Sequence, residues 1–342
     1  MRSRRVFVFL MLIGSPLLHG VNATESDFVE AFAVPTPTGD SMANGTALGV
    51  TGDLSSLVAR LISMLPFGED ADTELQVIEK QIEFKLNLVM WALPPHVRNS
   101  LPLFLKSWLA NWVLGSLLYL VLGAFWCLFV YKVFKNTKAG VAEENIPAFK
   151  DILQQIVVSQ QAMPLYTLLP VLTEHMITKG WTLCYARIST HGWTMFLMQF
   201  CLYMASVEFG VYWMHRKLHE IKLGYKYLHA THHQYNKNNT LSPYAGLAFN
   251  PIDGILQAAP YMWTLYLVPF HFMTQEVLLF GTAVWTTSIH DCVDAGCEPI
   301  MGAGYHEIHH TDYKFNYGHY TIFMDKWFGT LRPPPGSKVK AQ

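Results

Sequence analysis

From Ser107 to Tyr131 the chain runs for 25 residues without a charge. About 20 apolar residues suffice to cross the hydrocarbon of a bilayer, so this stretch reads as a transmembrane helix and the chain as a membrane protein. Lys132, Lys135 and Lys138 follow it, and only Lys106 immediately precedes it, which places its C-terminal end in the cytosol. Ser189 to Val207 reads as a second span. Ile152 to Thr173 is free of charges but interrupted by Pro164 and Pro170, and reads as a kinked or partial span. Gly254 to Ile289 is 36 residues with one carboxylate, Glu276; that is too long for a single crossing and suits a hairpin of two helices. The expected fold is all-α, an integral membrane bundle of about four transmembrane helices with a cytosolic helical cap.

Before the bundle, Arg2, Arg4 and Arg5 precede an apolar core from Val6 to Ile13, and Val21-Asn22-Ala23 offers small residues for cleavage. Residues 1–23 therefore read as a signal peptide or signal anchor. Residues 24–83 form an extension: a Thr, Ala, Gly, Pro and Ser-rich linker, then amphipathic helical periods. The membrane domain is expected over 84–333 and a tail over 334–342, where Lys338 and Lys340 fit a dilysine retrieval signal for the endoplasmic reticulum. The 24 basic and 25 acidic side chains nearly cancel, which leaves no excess to neutralise phosphates and argues against a nucleic-acid partner. Five cysteines without a CxxC pair argue against a thiolate zinc site.

The chemistry lies in the histidines. His215 and His219 form HxxxH; His229, His232 and His233 form HxxHH; His306, His309 and His310 form HxxHH again. With 15 histidines in 342 residues, chance gives one HxxHH about 0.03 times, so two are not accidental. On a helix, residues i, i+3 and i+4 share a face, so each cluster aims two or three imidazoles in one direction. Neutral imidazole is the commonest protein metal ligand. Eight such rings, with His290 as a ninth candidate, overfill one four-ligand site and suit two metal ions. Ligand softness alone leaves iron, zinc, copper and nickel open. The isolated His19, His96, His175, His191 and His271 read as structural, and His319 as structural or supporting the last cluster.

The words around these clusters resemble a family. Val207-Glu208-Phe209-Gly210-Val211-Tyr212-Trp213-Met214-His215, Tyr225-Lys226-Tyr227-Leu228-His229, Asp253-Gly254-Ile255-Leu256-Gln257-Ala258 and Asn316-Tyr317-Gly318-His319-Tyr320-Thr321 look like the plant-type delta-7-sterol 5(6)-desaturases. These belong to the wider fatty-acid-hydroxylase and sterol-desaturase superfamily. The likeness runs from about Phe84 to Arg332. It implies removal of two hydrogens, from C-5 and C-6 of a delta-7 sterol, by O2 at a pair of irons, with electrons from cytochrome b5 and its NADH-dependent reductase, in the endoplasmic reticulum membrane. Zinc has no redox chemistry, which removes it for this reaction. The implied ligands are the eight clustered histidines, His290, and Asp294, which stands where the family pattern has a further histidine; aspartate ligates through oxygen. Glu208 is expected either to accept from a ligand imidazole or to pair with Arg216. Lys217, Lys222 and Lys226 are expected to face solvent or an acidic electron carrier. For the sterol's apolar cleft, Trp263, Phe270 and the loop around Tyr244 are the candidates. Other readings remain open: a C-4 methyl oxidase or fatty-acid hydroxylase of the same superfamily, a member that has lost activity, and a non-catalytic membrane metal carrier.

Overall fold

The computed structural model describes residues 72–135, 141–237, 239–291, 293, 297–337 and 339. The expected signal segment, the linker, the helical period from Leu54 to Leu65, Asp294, Lys338 and Lys340 lie outside the described residues.

The first helix, α1 (Glu74–Met90), starts at a capping box: the Thr73 hydroxyl accepts from the Gln76 amide, and the Gln76 side chain accepts from the Thr73 amide. It buries Val77, Ile78, Ile82, Leu86 and Met90 at helical spacing, so its apolar stripe belongs to the main core. The expected domain boundary at residue 84 therefore falls inside one continuous helix. Lys85 fixes this helix to the bundle, pairing with Glu276 at 2.8 Å and with Glu174. Ser107 and Asn111 also donate to Glu174. These charges are buried, and the network gives them the partners that burial demands.

After a short α2 (Pro95–Ser100), α3 (Leu103–Leu128) carries the charge-free run and continues through a π-helical turn, Phe129–Val133. Leu117, Val121, Phe125 and Leu128 stand more than half exposed, an apolar face that water would not tolerate and lipid does. The next segment breaks at Thr167 into α4 (Phe149–Tyr166) and α5 (Leu168–Thr178). Pro170 has no N–H to donate across that break, and the Trp108 indole on α3 donates to the Pro164 carbonyl there, at 2.7 Å. The longest helix is α6 (Gly192–Glu220), 29 residues and so about 43 Å. That is longer than the roughly 30 Å hydrocarbon of a bilayer.

The hairpin forms as α7 (Pro251–Trp263) and α8 (Phe272–Ile289). At 13 and 18 residues these arms are about 20 and 27 Å long. Gly210 on α6 lets α7 close in: a Cβ there would lie 2.7 Å from Pro260. Among the described residues three segments are long and apolar enough to cross a membrane: Leu103–Val133, Glu143–Thr178 and Gly192–Glu220. Neither arm of the hairpin is among them, so the expected count of about four is not confirmed. Two short pieces of strand, β1 (Cys184–Tyr185) and β2 (Phe270–His271), pair in parallel at the end where α6 and α8 begin. The last helices, α9 (Ala303–Asp312) and α10 (Phe323–Trp327), sit at the opposite end, where α6 and α8 finish.

Candidate metal centre

Nine histidines meet at that second end and divide into two groups. His215, His219, His229, His233 and His309 form one; His232, His290, His306 and His310 form the other. Within each group one ring nitrogen from every member lies within 4.8 Å of the rest. Each HxxHH is split: its first and last histidines go to one group and its middle histidine to the other. The HxxxH pair on α6 serves the first group, and His290, at the C-terminal cap of α8, serves the second.

The local backbone explains the aim of the rings. His229 closes a π-helical turn, Tyr225–His229, in which the Ala230 amide reaches back to the Tyr225 carbonyl at 2.8 Å. Such wide turns recur at functional sites. After α9 the chain reverses through Tyr313 and Asn316, both at φ 59. Asn316 tolerates this left-handed conformation because its side chain is tied to Tyr305 O, Arg332 O and the Arg332 amide. The reversal brings the Phe315 carbonyl to His309 Nδ1 at 2.8 Å.

Four rings have their orientation set from behind. Nδ1 faces the Tyr317 carbonyl in His215 (3.1 Å), Asp253 in His229 (2.7 Å), the Thr286 carbonyl in His290 (2.7 Å) and the Phe315 carbonyl in His309. A carbonyl or ionised carboxylate only accepts, so Nδ1 holds the proton and Nε2 presents a lone pair. In the second group His290 Nε2 lies 2.9, 3.3 and 3.4 Å from the Nε2 atoms of His306, His310 and His232. In the first, His233 Nε2 lies 3.1 Å from the Nε2 atoms of both His219 and His229. Nitrogens bound to one ion at about 2.1 Å stand about 3.0 to 3.4 Å apart. His215 Nε2 and His309 Nε2 are buried without a hydrogen-bond partner, and a cation satisfies such converging lone pairs. The residues therefore fit two metal ions with all-imidazole donor sets.

Burial works in the same direction. It holds His232, His233, His306 and His310 well below the ordinary imidazole range, and their neighbouring imidazoles deepen the effect. His290 is pushed down to about 4 and His309 to about 3, again chiefly by burial. All six are neutral at physiological pH, the form that ligates.

The second group closes one end of a cavity of about 200 Å³. His215, His232, His290 and His306 line it, and its walls are mainly apolar, among them Leu118, Leu169, Ile255 and Leu279. The hairpin does line the cavity as expected, but through other residues. Trp263 packs at the α6–α7 crossing, beside Gly210. Phe270 is fully buried and stacks on Tyr203 at 3.9 Å. The loop around Tyr244 does line the cavity, through Gly246 and Leu247, while Tyr244 itself packs edge-on against Tyr119 and donates to the Leu120 carbonyl.

Glu208 meets neither of its expected partners. It accepts from the Tyr320 amide, the Thr321 amide and the Thr321 hydroxyl, all at 2.9 Å. Arg216 pairs instead with Glu220 and with the Tyr212 hydroxyl. Helical spacing places Glu208 near both expected partners but carries no information about a loop more than a hundred residues later. Asp253, behind His229, is a site residue that sequence reasoning misses; the signal available is an acid at the entrance to an apolar hairpin. Asn250 caps α7 and Phe315 stacks under Arg332, both outside the histidine groups. His271 caps α8, accepting from the Thr274 amide.

Comparison with known proteins follows the same residues. The pattern described as fatty acid hydroxylase matches residues 200–330, which contain all nine histidines. A Delta(7)-sterol-C5(6)-desaturase from Nicotiana tabacum is 54% identical over 71% of this chain and 89% of its own length. The chain belongs to the delta(7)-sterol C5(6)-desaturase family. An Arabidopsis thaliana relative named for the same activity is 48% identical over 78% of this chain and 95% of its own. A Schizosaccharomyces pombe Delta(7)-sterol 5(6)-desaturase is 30% identical over 70% and 75%. No solved structure matches the chain.

Proposed function

We propose that this desaturase introduces the C5–C6 double bond into delta-7 sterols, at two irons held by the nine histidines. One observation carries the reading: imidazole nitrogens converge in groups of five and four, and His215, His232, His290 and His306 among them line an apolar cavity. Asp294, four residues after His290, is proposed to add an oxygen ligand to the second group.

Bound iron supplies the oxidising power, drawn from O2 and two electrons, that removes two hydrogens from saturated carbon; O2 leaves as two waters after taking up two further protons. The chain's own residues do the rest. Asp253 and the carbonyls of Thr286, Phe315 and Tyr317 hold four imidazoles in the ligating tautomer. The apolar walls exclude water and seat a flat hydrocarbon skeleton. Rigid seating matters because positioning errors of about 1 Å cost orders of magnitude in rate.

The chain has no dinucleotide or haem signature, so electrons are proposed to come from cytochrome b5 and its NADH-dependent reductase. The lysine bias after the first span supports a cytosolic histidine end, and residence in the endoplasmic reticulum membrane is proposed with it. Expression in yeast lacking its own C-5 desaturase is the test. The expected result is the return of 5,7-diene sterols, with about two irons per purified chain. Persistent delta-7 sterols, or changes confined to 4-methyl sterols or acyl chains, would overturn the reading.

A further inference from the structure

The sterol reading leaves one polar atom of the substrate, the 3-hydroxyl, without a partner. Resting on that reading, we propose that Thr282 and His319 receive it, held in place by Tyr261 and Tyr320.

Thr282, His319 and Tyr261 all line the cavity. Tyr261 donates to Thr282 Oγ1 at 3.0 Å, and Thr282 Oγ1 shares a proton with His319 Nε2 at 2.8 Å. Tyr261 also meets the Tyr320 hydroxyl, and the Trp285 indole fixes the His319 carbonyl at 2.7 Å. A threonine hydroxyl has one hydrogen and two lone pairs; Tyr261, His319 and Tyr320 engage all three, and Tyr320, which stays paired with Tyr261, yields its place on Thr282 to the entering hydroxyl. Whichever tautomer His319 adopts, its Nδ1 remains to donate to, or accept from, a hydroxyl. An apolar ligand has no use for such a network, and burying one is costly. A molecule with a single hydroxyl makes use of it.

Reach decides where that hydroxyl sits. The sterol oxygen is four bonds from C-6, about 5 Å. Thr282 precedes His290 by eight residues on α8, about 12 Å along the axis. The His290 ring folds back toward Thr286, which shortens that gap. A reacting carbon beside the histidines, the 5 Å to the oxygen and one hydrogen bond together span it. Asn111 is the other polar candidate: its Oδ1 is buried without a partner, and it lines the same cavity. It is bound through Glu174 and Lys85 to the level of Glu276, which precedes His290 by 14 residues, about 21 Å. A hydroxyl held there would leave C-5 and C-6 far short of the histidines.

The test uses full-length protein in yeast microsomes, with a delta-7 sterol as substrate and its 3-deoxy analogue as competitor. For Thr282→Val the expected result is a KM raised about tenfold with kcat within about twofold of wild type, as for lost ground-state binding. The inhibition constant of the 3-deoxy analogue should stay unchanged, and Thr282→Ser should restore KM. Should Thr282→Val fail to accumulate in the membrane, Thr282→Ala and His319→Gln are read by the same criterion. An unchanged KM overturns the inference. So does a KM that rises together with the analogue's inhibition constant, because loss of hydroxyl recognition cannot weaken a ligand without the hydroxyl. A wild-type chain that leaves the delta-7 sterol unconverted would instead remove the sterol reading itself.

Discussion

Replacing Asp253 with asparagine isolates what a carboxylate does behind a ligand imidazole. Asp253 is fully buried, with one oxygen 2.7 Å from His229 Nδ1 and the other accepting from Gln257 Nε2 at 2.8 Å. Both neighbours donate. An amide has one accepting and one donating end, so the substituted side chain must turn its NH2 against either Gln257 or His229. In the second case it favours the tautomer that puts the proton on Nε2, where the lone pair is needed. Loss of such a partner costs about 10- to 100-fold in metal affinity, or about 1.4 to 2.7 kcal/mol. Asp253→Leu should cost more, because the Nδ1 proton then has no acceptor in a site closed to solvent. The assay is cobalt(II) titration of chelator-treated protein in detergent, following the visible absorption of each ion as it binds. Weakened binding at the five-histidine group, with the four-histidine group little changed, is expected. Equal affinities in wild type and Asp253→Asn would refute the tautomer reasoning.

Stability of the metal-free protein should fall with acid. The folded state holds His290 near 4 and His309 near 3, mainly through burial, so the unfolded chain binds more protons below about 6.5. Each ring then removes on the order of 1 kcal/mol at pH 5.5, and the loss grows toward the folded values; a melting temperature flat from pH 7.5 to 5.5 would contradict this. Glu208→Ala should lower the melting temperature, since it leaves the Tyr320 and Thr321 amides without their acceptor, at about 1 to 3 kcal/mol. Gly318→Ala should destabilise by a similar amount, because its Cβ would lie 2.3 Å from Thr321 O and 2.8 Å from Asp325 Oδ2; an unchanged thermal midpoint would show that the loop yields.

The sequence is most readable where the physical signal is local. The charge-free run became α3, the prolines marked the break between α4 and α5, and Gly254–Ile289 became the α7–α8 hairpin. The histidine spacings were equally legible, since i, i+3 and i+4 share a helix face in any fold. Helix pairing was not legible. Glu208 reaches Thr321, Asp253 reaches His229 and Lys85 reaches Glu276 across helix packing that no local period encodes. The cavity shows the same limit. Trp263, Phe270 and Tyr244 have the expected chemistry, but which face of a hairpin meets a ligand depends on how α7 and α8 cross their neighbours. Leu279, Thr282 and Thr286 take that face and look ordinary as letters.

The split of each HxxHH motif between the two groups ties their spacing to local geometry. On α9, His310 lies about 40° to one side of His306 and His309 about 60° to the other. The helix therefore stands between the two groups and feeds both, and the turn carrying His229, His232 and His233 does the same. The gap between the groups is set by the body of one helix and one turn, not by the docking of separate elements. A shift of α9 is felt in both groups at once. By contrast, α6 supplies only the first group, and the end of α8, tied by Asp291 to the Trp126 indole on α3, supplies only the second. Trp126→Phe should thus loosen His290 while leaving the five-histidine group intact, whereas breaking the Asn316 turn behind α9 should disturb both.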